Sequence, residues 1–84
     1  MQHKGVEMAR RLVTFTFTPE ITSEPIIYTI SQQFSLITNI RQANLTEHGG
    51  YIVLELIGED KDIEDGITWA ISKGVRVDPV SDET

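Results

Sequence analysis

A strict alternation of large apolar residues with threonine constrains this chain more than any other stretch: Val13, Phe15 and Phe17 fall on one parity and Thr14, Thr16 and Thr18 on the other. A period of two built from β-formers is the pattern of a strand with one buried face and one open face. The strand reads from Arg11 onward. Pro19 closes it, because proline has no backbone N–H to give to a ladder.

The next segments switch period. Thr22-Ser23-Glu24 offers capping oxygens ahead of Pro25, a residue suited to a first helical turn, and Ile26, Ile27, Ile30 and Phe34 then recur at helical spacing. This predicts a helix over residues 25–33. A second strand reads over residues 37–46, although Ile37, Ile40, Ala43 and Leu45 do not keep one parity, and a bulge within residues 39–42 would reconcile them. Gly49 and Gly50 follow Glu47-His48 and can take the positive φ of a tight hairpin.

The third strand, residues 51–58, sets Ile52, Leu54 and Leu56 against Tyr51, Val53, Glu55 and Ile57. Glu59, Asp60 and Asp62 place negative charge where a helix N-terminus favours it. The stripe Ile63, Gly66, Ile67 and Ala70 carries that second helix to Lys73-Gly74. Val75, Val77 and Val80 mark a short last strand, stopped by Pro79.

Strand, helix, strand, strand, helix, strand is the split βαβ order. It predicts an α+β fold of the ferredoxin-like βαββαβ kind, a four-stranded antiparallel sheet with two helices on one face. With the first and third strands central, Thr14, Thr16, Val53, Glu55 and Ile57 line the uncovered face. Residues 11–80 form the domain, residues 1–10 a flexible arm and residues 81–84 an acidic tail.

Eighty-four residues hold one core with a thin stability margin, which favours a homodimer. Thirteen acidic against seven basic side chains give a net charge of −6, which disfavours nucleic acid and anionic lipid as partners. Cysteine is absent, so the chain holds no cluster or thiolate metal site alone. The first ten residues lack an apolar signal region and no apolar run is long enough to span a bilayer, so the expected location is the cytoplasm, without membrane insertion.

No catalytic set emerges. His3 and His48 lack further ligands, which leaves no metal expected, and the acids of residues 59–65 lack the loop of a calcium site, so helix-start electrostatics accounts for them. Phosphate-binding and nucleophile motifs are missing as well, so neither enzyme activity nor a cofactor is expected. Trp69 falls to one side of the second helix's stripe, where it either packs over the helix flank or walls an interface or ligand pocket.

The segment Thr38-Asn39-Ile40-Arg41-Gln42-Ala43-Asn44 interrupts an otherwise alternating strand with amides and a guanidinium. Such groups can recognise a small zwitterion such as an amino acid. They also suit a polar edge strand protected from aggregation.

At these residues the chain resembles the NIL domain, the small regulatory domain at the C-terminus of methionine-importer ATPase subunits, found also free-standing or fused to ferredoxins. The resemblance rests on Asn39-Ile40-Arg41 at the Asn-Ile-Leu motif, Gly49-Gly50 in the hairpin, Ile67-Thr68-Trp69 in the second helix and Gly74-Val75-Arg76-Val77 before the last strand. It implies a dimer that binds methionine or a related amino acid near its interface. Asn39 would hydrogen-bond the ligand, Ile40 would contact its side chain, and Gln42 completes the set. Arg41 stands where the motif has leucine, a guanidinium that can hold a carboxylate or crowd an apolar chain. The alternative is a protein-interaction module, with Tyr51, Val53, Ile57 and Trp69 as interface residues and a transporter subunit or iron–sulfur redox protein as partner.

Overall fold

The computed structural model describes residues 8–80. Strands β1 (Ala9–Phe17), β2 (Ile37–Thr46), β3 (Gly49–Gly58) and β4 (Arg76–Pro79) and helices α1 (Ile26–Gln33) and α2 (Asp60–Ser72) follow in the expected βαββαβ order. The sheet is antiparallel in the order β2-β3-β1-β4, so β1 and β3 are central.

Alternation in the two central strands creates the core. Val13, Phe15 and Phe17 of β1 and Ile52, Leu54 and Leu56 of β3 are buried against Ile26 and Ile30 of α1 and Ile63 and Ala70 of α2. Each fully buried side chain of this size contributes roughly 1.5–3 kcal/mol of hydrophobic stabilisation. Leu36 adds a wedge between sheet and helix. A Cβ at Gly58 would lie 2.6 Å from its Cδ2, and one at Gly66 3.0 Å from its Cδ1, so both glycines make room for it.

The hairpin turn is Glu47-His48, closed by the pairing of Thr46 with Gly49. Gly49 has φ +103° and Gly50 φ +145°, and a Cβ at Gly50 would strike the Asn44 carbonyl oxygen, so the turn requires glycine there. At the end of α2, the Lys73 amide bonds the Trp69 carbonyl and Gly74 turns with φ +100°, a glycine-terminated C-cap.

Two local expectations need correction. β1 begins at Ala9, because β3 continues to Gly58 and pairs Ala9 with Gly58 and Arg10 with Ile57. Ala9 and Arg10 therefore belong to the sheet and not to an arm. No side chain of Thr22, Ser23 or Glu24 caps α1, whose N-cap is Pro25 itself. Residues Pro19–Ile21 instead form a 3-10 turn, and the Thr22 hydroxyl donates back to the Pro19 carbonyl at 3.1 Å. Residues 1–7 of the expected arm, with His3, and the acidic tail of residues 81–84 lie outside the described residues.

Candidate functional site

The face of the sheet opposite the helices is uncovered, and β2 is its edge. Pairing of Ile37 with Ile57 and of Asn39 with Glu55 puts Ile37 and Asn39 on this open face. The register then shifts between Ile40 and Gln42, leaving Arg41 as the extra residue of a bulge. Arg41 and Gln42 consequently both reach open-face partners, Glu55 and Tyr51. Ile40 pairs with the core residue Leu54, so it lies on the helix side of the edge, 56% exposed and turned away from Asn39.

Glu55 is the centre of the arrangement. It sits mid-strand on the open face, and only 6% of it is exposed. Asn39 Nδ2 donates to Glu55 Oε1 at 3.3 Å, while Arg10 Nη1 and Arg41 Nη2 lie 3.1 and 4.0 Å from Oε2. A carboxylate is costly to withdraw from water unless it is paired, and the two guanidinium groups and the amide provide that pairing. The guanidiniums themselves remain largely in solvent, with side-chain exposures of 69% for Arg10 and 56% for Arg41. Two cations to one anion leave a local positive excess on a protein whose net charge is −6.

Along β3 the carboxylate is flanked on the same face by Val53 and Ile57, both half-buried, with Leu12 directly opposite on β1. Tyr51 lies further along the face, where its hydroxyl accepts a bond from Gln42 Nε2 at 2.9 Å. Tyr51, Val53 and Ile57 thus share one surface. Trp69 does not join them: on α2, across the sheet, its ring lies 6.1 Å from that of Phe34 with Lys73 Nζ 5.8 Å above it. It is half-buried against the core, over the helix flank.

Sequence reasoning missed two features. Arg10 is one, a residue the sequence pattern places ahead of the strand although a basic pair, Arg10-Arg11, introduces it. An apolar cleft of about 190 Å³ also opens on the helix side, between the start of α1 (Pro25, Ile26, Ile27) and Phe17, Leu45 and Ile52. Its signal was Leu45, whose parity follows from the bulge. The cleft and the Glu55 cluster occupy opposite sides of the sheet, so one small molecule bound to one protomer reaches only one of them.

Among the described residues, no group of three or more His, Cys, Asp or Glu side chains is placed to hold a metal ion. His48 is largely in solvent at the hairpin tip, 3.6 Å from the Glu47 carboxylate.

A family model described as the NIL domain matches residues 11–79. The chain is similar to a solved structure, the C-terminal domain of an ABC transporter ATP-binding protein from Enterococcus faecalis, with a TM-score of 0.77 and 25% sequence identity over 87% of this chain and 86% of that one. No curated protein matches the chain.

Proposed function

The chain belongs to the NIL domain family, and we propose that it is a non-catalytic regulatory domain that binds methionine or a related amino acid at the β2 edge. The observation that supports this reading is the convergence of Asn39, Arg41 and Glu55 on the uncovered sheet face. There an amide, a guanidinium and a carboxylate present donors and acceptors of both charges within one small area. Gln42 borders the same area through Tyr51. Ile40 would contact a ligand only from the far side of the edge, as in a pair of protomers meeting along β2. A homodimer is therefore part of the proposal, as are the 11–80 domain boundary and a cytoplasmic location.

Titration of the full chain with methionine at millimolar concentration is expected to shift the amide resonances of Asn39, Arg41 and Glu55. Unchanged spectra and no calorimetric heat would overturn the reading.

A second reading is favoured by the half-buried Tyr51, Val53 and Ile57, which give the same face an apolar component. In it the face docks a protein, such as a transporter subunit or an iron–sulfur redox protein. Val53→Glu should then abolish capture of that partner while leaving the monomer folded, with methionine producing no response.

A further inference from the structure

Helix α1 is shorter than the strands it covers. It runs for 8 residues, about 12 Å of axis, whereas β2 and β3 each run for 10, about 33 Å of strand. At the hairpin end the inner face of the sheet therefore projects past the start of α1. The cleft of about 190 Å³ opens there, and its floor is the core itself: Phe17, Ile26 and Ile52 are only 5%, 2% and 7% exposed. A more open depression of about 360 Å³ adjoins it, lined by Thr46 and Glu47 and sharing Thr22 and Leu45 with the cleft. Together they form one trough, apolar beside α1 and polar toward the hairpin tip.

The charge around this trough has one sign. Among the described residues, Glu24 and Glu47 line it and no lysine or arginine does. Glu20 stands on the 3-10 turn, whose Pro19 abuts the hairpin at Gly49. His48, beside Glu47, adds positive charge only when protonated. Tyr28, 66% exposed, borders the apolar end. An exposed aromatic ring and a carboxylate on one rim suit an arginine or lysine, whose cation pairs with the acid and lies over the ring. Both described ends of the chain lie away from the cleft: β1 enters the sheet at Ala9, its end remote from Phe17, and the chain leaves the sheet at Val80, bonded to Leu12.

We infer that the trough is a docking groove for a basic segment of a partner protein, which seats one aliphatic side chain in the cleft and sets flanking lysines or arginines against Glu24, Glu47 and Tyr28. A cavity of about 150 Å³ holds a benzene-sized group, so the cleft accommodates a leucine or isoleucine side chain. The continuation toward Glu47 gives an extended segment a second contact that a single small amine leaves empty. The trough lies across the sheet from Glu55, so docking there is independent of what binds the open face.

The test is amide chemical-shift titration of the full chain, at low salt, with the peptide Lys-Arg-Leu-Arg-Lys and three further probes: the same peptide with alanine for leucine, one with glutamate for every base, and isoamylamine, a small apolar cation. The leucine peptide should shift the amides of Ile27, Tyr28, Leu45 and Ile52. The alanine peptide and isoamylamine should each bind about tenfold weaker or worse, the former for want of the buried side chain, and the acidic peptide should have no effect. The double variant Glu24→Gln with Glu47→Gln, at two exposed positions, should weaken the leucine peptide about fivefold and remove most of its salt dependence. No shift at the cleft with millimolar leucine peptide, equal binding of the alanine or acidic peptide, or full affinity in the double variant overturns the docking groove. Shifts confined to the open face around Tyr51 and Val53 do the same. Isoamylamine binding as tightly as the leucine peptide also overturns it, because the cleft is then a site for a small amine.

Discussion

The two faces of β3 differ residue by residue. Ile52, Leu54 and Leu56 are buried beneath the helices, whereas Tyr51, Val53 and Ile57 on the other face are half-buried and surround Glu55. The first set is apolar throughout and fills a closed layer with Phe15, Ile30 and Ile63. The second mixes apolar side chains with one ion cluster whose arginines stand in water. The difference shows a division of labour within a single strand. Stability is concentrated where side chains interlock, and polar chemistry sits where no layer has to close over it.

Neighbouring substitutions offer the sharpest way to break that comparison. Leu54→Ala should cost about 2–5 kcal/mol in denaturant unfolding, because it removes buried methyls and leaves a cavity. Val53→Ala, one residue away on the open face, should cost less than about 1 kcal/mol. Equal costs would mean that the open face is packed as tightly as the core. A smaller effect is expected where the helix-covered face is most crowded. Gly58→Ala places a methyl 2.6 Å from Leu36 Cδ2 and should destabilise by about 1–3 kcal/mol. Unchanged stability would show that Leu36 has room to move.

Much of this architecture was legible in one dimension because periodicity is a local property. The alternation at residues 13–17 marked β1, and the broken parity of Ile40 against Ala43 and Leu45 announced the bulge at Arg41, whereas Ile37 lies before the bulge on the open face and is not brought into line by it. The site was legible only in part. Asn39 and Arg41 stood out as polar residues in a strand, but the burial of Glu55 depends on register, which pairs it with Asn39 across 16 positions of sequence. Arg10 escaped because its strand extends only as far as its partner β3 allows, a tertiary fact. Parity, once the bulge is allowed for, would already have separated Ile40 from Asn39. The flank position of Trp69 was legible as well, but its neighbour Phe34 comes from another helix end.

The finest test of the comparison is Glu55→Gln, read as stability in denaturant. The substitution keeps the side chain's shape and an acceptor for Asn39, but it removes the charge shared by Arg10 and Arg41. Both guanidiniums stay hydrated, so the lost pairing is that of a partly exposed ion pair, about 1 kcal/mol or less. The neutral amide also escapes the desolvation of a buried carboxylate, which offsets part of that loss. The expected net change is therefore small, and raising the salt concentration should narrow the gap between wild type and variant, since salt screens only the charged form's attraction. A loss as large as that of Leu54→Ala would make the cluster a second structural layer. In that case the open face would owe its charges to folding, and the case for ligand recognition there would have to rest on the amides of Asn39 and Gln42 alone.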